Sequence, residues 1–186
     1  RAGVGCLRLV DGDTFTLTNL NRQLLGETSN LAKYKAQIAA EQVRAVNPLV
    51  QAEECTLMVQ PDNVESLMQG MDLVLDAFDN LPGRFLLADG ARKLGTPFIH
   101  AAVAGWWGQI STFLPDSNYN LQNIYGELRS RDPAEEATGV LGPTAAVIGS
   151  LEALEAIRLL AGRTPAYRDQ LLYFDGESGT MEIFPL

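Results

Sequence analysis

The sequence predicts an open α/β sheet, mostly parallel, with helices on both faces and antiparallel strands at its C-terminal end. Three observations carry the prediction. Strand-like and helix-like segments alternate from residue 6 to residue 104, the order that right-handed crossovers connect into a parallel sheet. MDLVLDA (71–77) reads as a continuous apolar strand, the pattern of a strand buried on both faces. WGQISTFL (107–114) instead alternates polar and apolar side chains, as an antiparallel strand with one wetter face does.

Each element has its own signal. Gly3 and Gly5 read as the exit of a preceding helix, and CLRLV (6–10) as a short strand ending at Asp11. Between Asn30 and Asn47, Leu31, Ala36, Ile38, Ala39, Val43 and Val46 recur at helical spacing until Pro48 stops the helix. Strand material returns at 51–57. Pro61 and Asp62 open a short helix that Gly70 closes, and the strand 71–77 follows. A helix over 82–94 ends at Gly95, ahead of the strand TPFIHAAVA (96–104). Residues 115–138 are polar and aperiodic, a long loop of the kind that is usually functional. A buried-looking helix over 143–160 stops at Gly162. LLYFDGESGTMEIF then makes two strands around the turn 176–179.

Composition narrows the function classes. The 186 residues, 46% hydrophobic and 20% charged, suffice for one globular domain with a sizeable core. A net charge of −9, a pI near 4.6 and the lack of a Lys/Arg run argue against nucleic acid as a partner. Membrane spanning is not indicated either, because no uninterrupted apolar stretch reaches the roughly 18–20 residues it needs. Cys6 and Cys55 have no CxxC neighbour, so neither a disulfide framework nor zinc is expected; both read as small hydrophobes in a cytoplasmic protein. The chain starts RAGVG without an initiator methionine, which leads us to expect further residues upstream.

Chemistry concentrates in VDGDTFTLTNLNRQLLGETSNLAKYKA (10–36), where Asp11, Asp13, Asn19, Asn21, Arg22, Gln23 and Lys35 follow an apolar strand. An acid at the carboxyl end of an early strand can accept hydrogen bonds from ribose hydroxyls, and Asp11 is placed for that. A turn aspartate explains it as well. Arg22 and Lys35 could neutralise a triphosphate, although each alone reads as a solvated surface cation. Asp79 follows the strand 71–77, where a carboxylate can hold Mg²⁺; alternatively Asp79 and Asn80 cap the next helix. Asp76, inside that strand, reads as a satisfied buried carboxylate. His100 reads as a hydrogen-bonded strand or pocket-wall residue rather than a general base, and Trp106 and Trp107 as packing or a groove wall.

Taken in order, RAGVGCLRLVDGD, NLNRQLL, the Lys35 helix ending in Asn47-Pro48, DLVLDAFDN, GQISTF and GVLGPTAAVIGSLEALEAIRLLAG closely resemble the ThiF/MoeB/HesA family of ubiquitin-activating-type adenylating enzymes. The spacing from Asp11 through Arg22 and Lys35 to Asp79 matches the family pattern, and the likeness covers nearly the whole chain. One adenylating domain over residues 1–186 is therefore expected. The resemblance implies a Rossmann-like sheet in a homodimer. It implies an ATP- and Mg²⁺-dependent adenylyltransferase that activates the C-terminal glycine of a ubiquitin-like sulfur carrier (ThiS/MoaD type, ending in Gly-Gly) for thiamine or molybdenum cofactor, releasing pyrophosphate. Carried over by position, Asp11 binds ribose, Asn19, Arg22 and Lys35 contact phosphates with Gln23 as a further contact, and Asp79 holds Mg²⁺ with Asn80 nearby. Arg22, Lys35 and Asp79 are then the catalytic set.

Departures from the family pattern qualify that picture. The family's glycine-rich loop, and an arginine supplied across the dimer, are expected ahead of Arg1. No cysteine follows Cys55, so the family's zinc-binding CxxC pairs are missing and the 115–138 crossover loop has no thioester cysteine. The implied chemistry stops at the acyl adenylate or passes it to a separate sulfur donor. Competing readings are adenylation of a peptide or tRNA base, a nicotinamide-dependent oxidoreductase, and the scaffold half of an activating heterodimer. The oxidoreductase leaves Arg22, Lys35 and Asp79 together unexplained.

Overall fold

A computed structural model of the chain describes residues 1–127 and 138–186. They form two compact units, Arg1–Asn63 and Val64–Leu186.

In the first unit, strands β1 (Cys6–Val10) and β2 (Gln51–Cys55) pair in parallel, in register from Cys6↔Gln51 to Val10↔Cys55. The crossover between them contains two 3-10 turns, Leu17–Asn19 and Thr28–Asn30, and helix α1 (Lys35–Val46), which packs on both strands and buries Ala36, Ile38 and Ala40. The periodicity places the start of this helix near Asn30, yet the first helical residue is Lys35. Bridges Phe15↔Leu31 and Thr14↔Tyr34 tie down both ends of residues 31–34, and Ala32 between them has φ +64°, a left-handed conformation that no right-handed helix accommodates. At the other end the helix stops at Asn47, ahead of Pro48, as the sequence predicts.

The second unit contains α2 (Val64–Met68), β3 (Val74–Leu75), α3 (Leu81–Leu94), β4 (Phe98–Ala104), β5 (Trp107–Phe113), α4 (Leu121–Tyr125), α5 (Gly142–Leu160), β6 (Gln170–Asp175) and β7 (Thr180–Pro185). Its sheet runs in order β3-β4-β5-β6-β7. The α/β class and the antiparallel C-terminal strands are as predicted. Between the named strands, parallel pairing is confined to β1–β2 and β3–β4, while β4–β5, β5–β6 and β6–β7 are antiparallel, tight turns joining β4 to β5 and β6 to β7. Helix α5 lies over β4 and β5, and the core forms where Ile148 and Ala156 meet Ile99, Ala101, Ile110 and Leu172.

Three elements differ from expectation. Strand β3 has two residues rather than seven, and Leu75 is exposed, so burial on both faces does not hold along the run. Its ladder to β4 ends where Asp76 N–H donates to Ile99, because the Asp76 carboxylate then draws the chain into a turn by accepting from Phe78 N–H. The polar residues of β5 are buried on both faces: Ser111 on one and, on the opposite face, Thr112, which donates through Oγ1 to Glu155 Oε1 of α5 at 2.9 Å. Within the expected 115–138 loop, Asn120 caps the one-turn helix α4 by accepting from Gln122 N–H; residues 128–137 of that loop lie outside the described residues. Among the described residues no helix is long and apolar enough to cross a membrane.

Candidate functional site

The first unit gathers its predicted residues at the carboxyl end of β1. Asp11 follows the strand directly, and its Oδ1 accepts from Asp13 N–H at 2.8 Å. The chain at Asp13–Phe15 is clamped to the residues leading into α1. Lys35 N–H donates to Asp13 O at 3.0 Å, Phe15 N–H to Lys33 O, and Ala32 N–H to Phe15 O. That clamp makes Lys35 the first residue of α1 and brings its ammonium 3.3 Å from Asp13 Oδ2 and 3.8 Å from Asp11 Oδ2. The Lys35 side chain is 15% exposed against 39% for Asp11 and 61% for Asp13, so the cation lies sheltered beneath the acids.

Asn19 organises the turn that carries the arginine. It is buried, its Oδ1 accepts from Thr16 N–H and Oγ1, and its carbonyl accepts from Arg22 N–H and Gln23 N–H. Arg22 is half-buried, with Nη1 donating to Thr18 O at 2.9 Å and Asn21 Oδ1 at 3.0 Å. Gln23 is half-buried beside it. These bonds fix the backbone of the turn and leave a guanidinium near the protein surface.

Asp79 and Asn80 belong to the second unit, between β3 and α3. Asp79 is exposed. Asn80 is the N-cap of α3: its Oδ1 accepts from Gly83 N–H at 2.9 Å while its Nδ2 donates to Asp79 Oδ1 at 3.2 Å. Capping therefore accounts for Asn80, and Asp79 is presented by that cap as an outward carboxylate, a hard oxygen donor suited to Mg²⁺.

Behind this turn lies a buried polar cluster. Asp76 accepts through Oδ2 from His100 Nδ1 at 2.7 Å and lies 3.6 Å from Arg84 Nη1, which itself donates to Ala101 O at 2.6 Å. His100 Nε2 faces the Tyr125 hydroxyl at 3.1 Å and Gln109 Nε2 at 3.2 Å. Burial lowers the His100 pKa below its ordinary value, outweighing the Asp76 hydrogen bond, so the imidazole is neutral. Glu152 of α5 is pushed up to about 8, first by burial and then by the Asp76 charge. Asp76 and His100 thus have the structural roles expected of them. Trp106 is exposed, Trp107 is half-buried in β5, and Cys6 and Cys55 are free thiols in β1 and β2.

Sequence reasoning assigned no role to Asp13, although it is the nearest acid to Lys35; the DGD spacing two residues past Asp11 was the available signal. Arg84 also went unassigned. It occupies the apolar face of α3 shared by Leu81, Phe85 and Ala91, where a cation signals a buried partner.

Strands joined through a helix, with acids at their carboxyl ends, define an α/β protein of the kind that binds ligands at that edge. The chain belongs to the ThiF family, whose family model matches residues 1–186. It is 36% identical over 184 residues to the SAMP-activating enzyme E1 of Haloferax volcanii, covering 98% of this chain and 68% of that protein. It is 34% identical over 181 residues to the sulfur carrier protein adenylyltransferase of Thermus thermophilus, covering 94% and 67%. Against the adenylyltransferase and sulfurtransferase MOCS3 of Xenopus laevis the identity is 32%, over 96% of this chain but 40% of that protein. The fold matches that of E. coli MccB with a TM-score of 0.82 at 15% identity, over 98% of this chain and 57% of that one.

Proposed function

We propose that this chain is the adenylating domain of an ATP-dependent adenylyltransferase that activates the C-terminal glycine of a ubiquitin-like sulfur carrier, with release of pyrophosphate. The observation that carries the reading is the cation at Lys35, set at the N-terminus of α1 and beneath Asp11 and Asp13. A helix N-terminus already favours anions, and adding a sheltered lysine makes that end suited to a polyphosphate. The names of the relatives, an E1 for SAMP and a sulfur carrier protein adenylyltransferase, support a carrier as substrate.

In this reading Asp11 accepts from the ribose hydroxyls, while Lys35, Arg22, Asn19 and Gln23 face the phosphates. Asp79 holds Mg²⁺, and Asn80 acts through it by bonding its carboxylate. When bound with ATP, the metal offsets phosphate charge. The carrier's terminal carboxylate oxygen attacks the α-phosphorus, a bond forms there, and the bond to the bridging oxygen breaks to release pyrophosphate. No side-chain nucleophile is needed, so the protein contributes position and positive charge. One domain over residues 1–186 with a crossover loop at 115–138, a homodimer with a Gly-Gly-ending ThiS/MoaD-type partner, and a cytoplasmic setting belong to the same proposal.

The test is carrier-dependent ATP–pyrophosphate exchange by the full-length protein carrying this chain, with small β-grasp proteins ending in Gly-Gly from the same genome. Exchange with one carrier is the expected result. ATP binding without exchange for any carrier moves the substrate to a peptide or tRNA base, and a protein that binds no ATP is a scaffold.

A further inference from the structure

The buried cluster behind Asp79 forms a chain of hydrogen bonds that converges on the Asp76 carboxylate. Gln109 Nε2 donates to the Tyr125 hydroxyl at 2.8 Å, and that hydroxyl lies 3.1 Å from His100 Nε2. His100 Nδ1 lies 2.7 Å from Asp76 Oδ2, and Asp76 Oδ1 accepts from Phe78 N–H at 3.0 Å. A carboxylate can only accept, so the imidazole proton is on Nδ1 and Nε2 is free to accept from Tyr125. Aligned bonds of this kind polarise and strengthen one another in a dry environment, and His100 and Asp76 are 0% and 1% exposed.

The chain ends on the residue before Asp79. Phe78 is held there twice, by its amide on Asp76 and by its ring, which lies where a Cβ on Gly83 of α3 would fall. Asn80 fixes Asp79 from the other side as the cap of α3. On the Phe78 side the backbone leading into Asp79 is thus set by Asp76, and through it His100, rather than by contacts of the Asp79 carboxylate itself. We infer that His100 is a positioning residue for Asp79, holding the turn through Asp76 and tying it through Tyr125 to the segment that leads to residue 127. The role rests on the reading of Asp79 as the carboxylate that holds Mg²⁺. His100 does no proton transfer in this role, and its neutrality, enforced by burial, keeps Nε2 an acceptor.

Two near-isosteric substitutions separate positioning from mere filling of the core. In His100→Asn the carboxamide nitrogen falls where Nδ1 was and keeps the bond to Asp76. In His100→Gln it falls where Nε2 was and gives that bond up. Full-length wild type and both variants are compared by hydrogen exchange at the Phe78 amide without ligand, and by the Mg²⁺ dependence of ATP binding in titration calorimetry. We expect His100→Asn to keep both readouts. His100→Gln should lose protection at Phe78 and need about tenfold more Mg²⁺, the usual effect of freeing a group that orients a metal ligand. If His100→Gln fails to fold, His100→Leu, which fills similar space and has no donor for Asp76, is compared instead and should shift both readouts in the same direction. Wild type that binds Mg²⁺·ATP, with variants that alter its Mg²⁺ dependence equally or not at all, overturns the positioning role alone. Wild type that binds no Mg²⁺·ATP overturns the adenylation reading and this role together.

Discussion

Lys35 occupies a position that electrostatics alone disfavours, the first residue of a helix, where the partial positive charge of the backbone repels a cation. The cost, a few tenths to about 1 kcal/mol for such a placement, is offset by Asp13 and Asp11. A local rule broken in this way marks a functional site, because the same lysine would be favoured by an incoming polyphosphate. Arg22 is half-buried and Asp79 exposed, so neither belongs to the buried core. Arg22→Ala and Asp79→Ala are therefore expected to lower pyrophosphate exchange by about 100-fold or more while shifting stability by about 0.5 kcal/mol or less. Exchange assays beside urea denaturation of the same preparations check both halves. Near-normal exchange in either variant would remove that residue from the site. At this scale the sequence was legible where a residue's place follows from the element before it: Asp11 after an apolar strand, Asp79 after MDLVLDA. It was illegible where partners come from distant segments. Nothing near His100 in the sequence announces Tyr125 or Gln109, since only the folding of α4 and β5 brings them to its ring.

Helix α5 and strand β5 show how an element can depend on a missing side chain. Gly108 opens the buried part of β5, and a Cβ built there would overlap Ile148 Cγ1 and Cδ1 on α5. Ile148 is itself 2% exposed, hemmed in by the core, and has no open side to move toward. Gly108→Ala is thus an overpacking mutation at the contact between helix and sheet, expected to destabilise the second unit by about 1–3 kcal/mol. A paired Ile148→Val change, which trims the opposing side chain, should recover part of the loss; urea midpoints of the single and double variants give the answer, and a Gly108→Ala protein as stable as wild type would refute the packing argument. The same dependence on neighbours explains which elements the sequence revealed. The helices over 82–94 and 143–160 have long periodic runs and stop signals of their own, and both formed within a residue or so of expectation. Helix α1 began five residues late because a backbone clamp to residues 13–15, invisible to periodicity, claimed its first turn.

For the molecule as a whole, two perturbed groups of the second unit, His100 and Glu152, give stability opposite slopes with pH. His100 has a folded pKa below the ordinary 6.5 because burial disfavours the imidazolium. The unfolded chain then takes up a proton that the folded one refuses, so this contribution is present above pH 6.5 and is lost as the pH falls. Glu152 acts in the other direction. Its folded pKa of about 8 lies above the ordinary 4.5, so between those values the folded state holds a proton that the unfolded state has released, and stability falls as the pH rises. From pH 6.5 to 8 only the Glu152 slope remains, amounting to about 2 kcal/mol over that interval at about 1.4 kcal/mol per pH unit. Glu152→Gln keeps the shape and removes the titration. The second unit of the wild type should therefore lose stability between pH 6.5 and 8.5, while that of the variant holds level. Both tryptophans, Trp106 and Trp107, lie in this unit, so urea unfolding followed by their fluorescence reports it directly. An equal decline in the two proteins would mean that Glu152 is already ionised at pH 6.5, and that a buried charge beside Asp76 is tolerated without a proton.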